Sequence, residues 1–257
     1  MNSNVDRGIL ALARQGRLSA VSCLVQGPTV PENASALSEL PVDIGLHLNF
    51  TEAFAGAPSP LPLFRLIPAG YLHLLPSSRV VSQIHRQLDA FEAHFQRPPD
   101  YIDGHLHVHQ LPVIREKLVE IIAQRYATQR PWLRSTTFAR PSNPDRPYSK
   151  KALIIAFLGA RKMRFLAEAN GLRMNHRFLG VYNFSSTLQE YRALLSAWLK
   201  DAKDGDLLMC HPAMSADTGN GTGPQRAREF AVLSSPDFKI WLDQAQLNIA
   251  RLSLIPV

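Results

Sequence analysis

Cysteine is nearly absent from this 257-residue chain, with only Cys23 and Cys210 present. Two thiols are too few for a disulfide framework, so a reducing, cytoplasmic setting is expected. Long apolar runs are missing too. No stretch of about 18 uninterrupted apolar residues occurs, and no transmembrane segment is expected. The opening Met1-Asn2-Ser3-Asn4-Val5-Asp6-Arg7 lacks the basic-then-apolar order of a secretory leader. Acids are the scarcer charge, 21 against 28 Lys and Arg, for a net charge of +7. That surplus suits an anionic partner in principle. However, Arg125, Arg130, Arg134 and Arg140, and then Arg161, Lys162 and Arg164, are not interleaved with stacking aromatics. We read them as solvated helix faces and loops and expect no nucleic-acid partner. No repeat, low-complexity tract or linker interrupts the sequence. With 46% hydrophobic residues, it has the make-up of one barrel-sized domain over residues 1–257.

What the chain does have is histidine in an ordered run. Three of its nine histidines fall in Asp100-Tyr101-Ile102-Asp103-Gly104-His105-Leu106-His107-Val108-His109-Gln110-Leu111-Pro112, alternating with apolar residues. On a strand, positions two apart share a face. Asp103, His105, His107 and His109 would then form one polar row, with Ile102, Leu106 and Val108 packing behind. A carboxylate in line with imidazoles suits holding a divalent metal or moving protons. The competing reading is a set of hydrogen-bonded core histidines.

Elsewhere the periodicity predicts helices over Val5–Gln15, Ala34–Leu40, Ser78–Phe95, Pro112–Tyr126, Lys151–Asn170, Thr187–Lys200, Pro224–Leu233 and Asp237–Leu247. Strands are expected at Leu18–Val25, Val42–Phe50, Trp132–Ser135, His176–Tyr182, Asp206–Cys210 and Ile249–Ile255. The proline-rich 53–76 segment, the 138–148 segment and the stretch around Gly219, Gly221 and Gly223 read as loops. Alternating strands and helices argue for an α/β domain with a mostly parallel sheet, plausible as a barrel. His47, His105 and His211 would then each sit at the C-terminal end of a strand, where such folds keep their sites. Asn49 comes after His47 at the same two-residue spacing. Cys210, beside His211, reads as a small core thiol rather than a nucleophile.

Gly45-Leu46-His47-Leu48-Asn49, the Tyr101–His109 run before Leu111-Pro112, and Cys210-His211-Pro212 together resemble the YdjC-like (ChbG/HpnK) family of carbohydrate deacetylases. The match runs in order along nearly the whole chain. The resemblance implies an irregular (β/α) barrel like that of polysaccharide deacetylases, a divalent metal (magnesium or zinc), and removal of acetyl from an N-acetylated oligosaccharide or glycolipid. It places His47 and His105 as metal ligands and His211 as the acid that protonates the leaving amine. Asp103 would orient a ligand histidine, and His107, His109 and Asn49 would meet substrate. A homodimer is implied as well. One departure stands out. The family opens with a strand ending Ala-Asp-Asp-Phe-Gly and then a Ser-x-x-Val-Asn segment leading into the first helix. Here Ser3-Asn4-Val5 and the helix through Ile9-Leu10 match that later segment. The first strand and its two aspartates, the metal carboxylate and the base, are therefore expected to be missing, with Asp6 on a helix and no substitute for them. Either a start upstream of Met1 would restore them, the reading we favour because every later motif is intact, or the chain is a catalytically impaired member. The alternative from another class is a non-catalytic sugar-binding barrel.

Overall fold

The computed structural model describes residues 3–55, 57–138, 150–216 and 222–255. Its first half runs α1 (Ser3–Arg14), β1 (Ala20–Cys23), α2 (Val30–Ser38), β2 (Asp43–Leu48), α3 (Leu63–Tyr71), α4 (Ser77–Phe95), β3 (Tyr101–Gly104), α5 (Ile114–Arg125) and β4 (Trp132–Leu133). The second half runs α6 (Lys150–Phe157), α7 (Ala160–Ala169), β5 (Phe178–Leu179), α8 (Leu188–Asp201), β6 (Leu207–Leu208), α9 (Gly223–Leu233) and α10 (Pro236–Gln244). The first four strands form one parallel sheet in sequence order, and β5 pairs with β6 in a second. Isolated bridges Leu133↔Met174 and Phe138↔Phe178 join the two sheets on the β4 side. Among the described residues, β1 and β6 have no partner on the sides that would close the ring. The result is an irregular (β/α) barrel with a slit between β1 and β6.

Burial explains the strand type. β2 is buried along nearly its whole length, as parallel strands covered on both faces must be. Ile44, Leu46 and Ile102 pack with Ile84, Leu88 and Ile122 of the covering helices α4 and α5. Leu12, Leu179, Tyr191, Leu195 and Val232 form a second apolar cluster under α8 and α9. The register sets Gly45 opposite Tyr101 and His47 opposite Asp103. Below the sheet, buried Asp43 accepts from Trp132 Nε1 (3.1 Å), Arg251 Nε (2.8 Å) and the Ser253 amide (3.0 Å), and so ties the C-terminal tail to β2.

Several sequence expectations are corrected here. The 53–76 segment contains α3, a helix that carries Pro68 inside it; its prolines had marked it as loop. The expected Lys151–Asn170 helix is two helices, broken at Gly159 (φ 133°), a backbone angle that glycine alone adopts readily. Ile249–Ile255 is not a strand but an irregular tail with one 3₁₀ turn, Leu252–Leu254. The largest correction is the histidine strand. It stops at Gly104, and His105–Gln110 is a tight helical turn in which Leu106 (φ 51°) and His107 (φ 61°) are left-handed. Period-two alternation therefore ends where the histidines begin. The expected loop at 138–148 lies almost wholly outside the described residues, as do Gly219 and Gly221; Gly223 starts α9.

Gly45 is the tightest point of this sheet. A Cβ there would sit 2.4 Å from the Tyr101 ring, which stacks on Trp132 at 4.2 Å and hydrogen-bonds Ser22 at 2.7 Å. We predict that Gly45→Ala costs about 1–3 kcal/mol through overpacking. Urea unfolding measures it, and a loss under about 0.5 kcal/mol would show that Tyr101 moves aside freely.

Candidate active site

The site forms where β2 and β3 end side by side. Asp103, fully buried, accepts from His47 Nδ1 at 2.6 Å and Ser22 Oγ at 2.9 Å, and pairs with Arg134 Nη1 at 2.5 Å. Burial alone would raise its pKa. The Arg134 charge, and then His47, instead hold the carboxyl well below the usual range. Asp103 is thus an anion with both oxygens engaged, which suits orienting an imidazole and not accepting a proton. With Nδ1–H given to Asp103, His47 keeps Nε2 as its uncommitted nitrogen. Its ring stands edge-on to His105 with centroids 5.5 Å apart. His105 Nε2 meets the half-exposed carboxylate of Glu52 at 3.1 Å. Burial and then the neighbouring His47 lower the His105 pKa.

The remaining histidines of the run take other places. His107 Nδ1 accepts from Arg134 Nη2 at 3.1 Å, and its ring meets Phe178 edge-on at 5.5 Å. Burial, then Arg134, push its pKa well below the ordinary value. It lines the cavity. His109 does not: it is 0% exposed and donates from Nε2 to the Arg134 carbonyl at 2.9 Å. Its Nδ1 has no partner, and burial brings its pKa to about 3. The expectation of substrate contact at His109 is therefore corrected: left-handed backbone at 106 and 107 turns its side chain under Gly104. Asn49 is corrected in the same way. Its Oδ1 accepts the amides of Thr51 and Glu52, and its Nδ2 donates to Gln26 Oε1 and the Glu52 carbonyl. Three of its four capacities are spent on the turn that presents Glu52 and the fourth on Gln26, leaving none for a ligand.

Across the cavity, His211 comes after β6. Its amide donates to Glu229 at 2.5 Å, and the other oxygen of Glu229 accepts from Tyr182 Oη at 2.5 Å. Burial raises Glu229 to about 7. Burial, then the charge of Arg226, lowers His211 to about 3, with further contributions from His47 and His105. The three strand-end histidines thus face one space. That cavity measures about 1460 Å³ and runs on between the edges of β1 and β6. It exceeds the roughly 300–1,000 Å³ of ordinary small-molecule pockets because it takes in the slit as well as the space at the histidines. Burial pushes the Cys23 thiol up to about 12 and Cys210 higher still, so neither is a nucleophile.

The donor chemistry fits the nitrogen half of a metal site: two imidazoles, one with its tautomer fixed by a buried carboxylate. No group of three His, Cys, Asp or Glu arranged to hold a metal occurs among the described residues. Sequence reasoning missed three partners. Arg134, read as solvated, is buried and touches Asp103, His107 and the Gly104 carbonyl at 2.7 Å. Glu52 and Glu229 lie in segments without a motif. An acid three residues beyond Asn49 was the available clue to Glu52; nothing marked Glu229.

A family model described as YdjC-like protein matches residues 1–244. The chain is 26% identical to a carbohydrate deacetylase of Mus musculus, over 96% of this chain and 89% of that one. It is 25% identical to a chitooligosaccharide deacetylase of Yersinia pestis, over 90% and 86%. A crystal structure from Enterococcus faecalis, of a candidate cellobiose-phosphate cleavage protein, superposes with a TM-score of 0.65 at 19% identity, covering 97% of this chain and 92% of that one. That likeness supports the fold.

The buried histidines make stability depend on pH. In the folded state His109 and His211 titrate at about 3 rather than 6.5, so the unfolded chain binds more protons across that window. Stability must fall as pH drops through it, by up to about 1.4 kcal/mol per unit per histidine. Glu229, raised, works in the opposite sense from 4.5 to about 7. We predict that His109→Gln removes close to one proton's worth of slope below pH 6, measured by denaturant unfolding at stepped pH. An unchanged slope would mean that His109 titrates alike in both states.

Proposed function

Because the chain belongs to the YdjC-like protein family, we propose that it hydrolyses the acetamide of an N-acetylated sugar or glycolipid, acting as one domain over residues 1–257. The observation that carries this reading is the convergence of His47, His105 and His211 on one cavity, with Asp103 fixing the first. The similar proteins named as deacetylases support the substrate class.

Amide hydrolysis needs an activated water, a polarised carbonyl and a proton for the departing amine. His47 and His105 would hold a divalent metal. When bound, it supplies a Lewis acid for the acetyl oxygen and an acidified water. Two imidazoles favour zinc; magnesium would want more oxygen donors than these residues offer. Glu52, already against His105 and free of any buried network, is the carboxylate placed to take the proton of the attacking water. The proton Glu52 takes from the water is the one that must reach the amine: His211, neutral at rest, takes it up and gives it to the nitrogen as the C–N bond breaks, leaving acetate and a free amino sugar. Glu229 and Tyr182 hold the backbone and the wall behind His211. His107, through Arg134, borders the substrate space. Two free cysteines fit a cytoplasmic location, and the open β1 and β6 edges would serve a homodimer.

Acetate release from N-acetylglucosamine oligomers tests the activity. His211→Ala and Glu52→Gln are each expected to lower kcat by about 10²–10⁴. Asp103→Asn keeps the shape of the network but loses the anion, and should weaken metal binding about 10–100-fold, read by titration calorimetry. Oligosaccharide binding with no acetate released, with or without added zinc, would favour the sugar-binding barrel.

A further inference from the structure

Apart from Leu254 in the C-terminal tail, the most exposed large apolar side chains among the described residues gather in two places. Phe157 is 92% exposed, Phe165 71% and Ile154 60%, all on α6 and α7. Phe64 is 72% exposed, with Leu72 at 67% and Leu74 at 68%, on α3 and just beyond it. Both groups flank the same turn. The backbone at Gly159 lies against the Gln110 carbonyl, and that at Gly70 lies against the Pro112 carbonyl. The histidine turn between them exposes Leu106. Leu63, Ile67, Ile154 and Leu158 carry the same apolar surface into the cavity wall.

Charge in the segments that build the patch is mostly basic, although α7 carries Glu168 and α5 carries Glu116. No Asp or Glu occurs from Ala53 through Leu88 or from Arg146 through Ala167. The first of these segments carries Arg65, Arg79 and Arg86; Lys150, Lys151, Arg161, Lys162 and Arg164 belong to the second. Among the described residues of these segments, only Arg164 pairs with an acid, Glu168 at 3.7 Å. Clustered exposed apolar side chains mark a surface that is covered in use. Lysine is depleted where proteins cover one another, whereas aromatics framed by unpaired Lys and Arg match the headgroup boundary of an anionic bilayer.

We propose that α3 and the α6–α7 corner form a docking surface for an anionic lipid bilayer, seating the mouth of the histidine-lined cavity against the membrane. This is attachment from one side, consistent with there being no described helix long and apolar enough to cross a membrane. Phe157 and Phe165 enter the headgroup layer while Lys150, Arg161 and Lys162 meet lipid phosphates. The proposal stands on surface chemistry and does not rest on the deacetylase reading.

The test is co-sedimentation of the full chain with phosphatidylglycerol–phosphatidylcholine vesicles and with phosphatidylcholine vesicles alone. Sedimentation velocity on the same samples gives the oligomeric state. We expect binding to the anionic vesicles, weakened at least about tenfold without phosphatidylglycerol or at high salt. The double variant Phe157→Ser, Phe165→Ser should lose it with an unchanged thermal melt and unchanged turnover of a short soluble substrate. Arg161→Gln with Lys162→Gln should weaken it selectively on anionic vesicles. Absence of vesicle binding by the unaltered protein, or binding that survives the double serine variant, would overturn the proposal. So would a dimer that this variant dissolves in a protein that binds no vesicles, which would make the face an interface between copies.

Discussion

The buried ion pair between Asp103 and Arg134 is the contact on which the rest of the site depends. A carboxylate at 1% exposure costs several kcal/mol to desolvate unless it is matched, and this one is matched from three elements. Ser22 reaches it from β1, His47 from β2 and Arg134 from just past β4. The anion therefore fixes the tautomer of His47 and ties the strand ends together. Arg134 extends the same network by supporting His107 and the Gly104 carbonyl and by offering its own carbonyl to His109. A bulkier or uncharged residue at either position would leave a buried charge alone, the costliest outcome in a protein interior.

Elements with clear periodicity were legible in the sequence. The helix ending at Phe95 and the one ending at Asp201, capped by the reciprocal Thr187–Glu190 pair, matched their apolar spacing to within a residue or two. So did the strand that carries His47. The histidine run misled because alternation is a necessary mark of a strand and not a sufficient one. Gly104 lets the chain fold back on itself, since a Cβ there would lie 2.7 Å from the His109 amide. Three evenly spaced histidines consequently take three different surroundings. The site's arginine and glutamates were not legible for another reason. A charged side chain on a segment of ordinary composition says nothing about burial until the tertiary fold supplies its partner.

The two sides of the cavity differ in chemistry. On the β2–β3 side an anion holds imidazoles in a fixed tautomer. On the β6 side Glu229, raised to about 7 by burial, braces the backbone of His211 and the Tyr182 hydroxyl, beside Arg226. One side is built to keep charge in place and the other to keep an imidazole neutral at rest. An imidazole neutral at rest can take up a proton during the reaction and pass it to a nitrogen, so it relays a proton and does not store one.

The slit between β1 and β6 also has a mechanical consequence. A closed barrel is stiff because each strand is laddered to two neighbours, so its diameter is fixed by hydrogen bonds. Here the wall is a curved shell, joined to the second sheet by two isolated bridges on the β4 side. Such a shell bends more easily than a ring. His47 and His105 ride on the sheet that ends at the β1 lip, and His211 comes just past β6 on the other. The span between the imidazole pair and the proton donor is therefore governed by the curvature of the wall. Whatever wedges into or seals that seam sets the distance across which the chemistry must work.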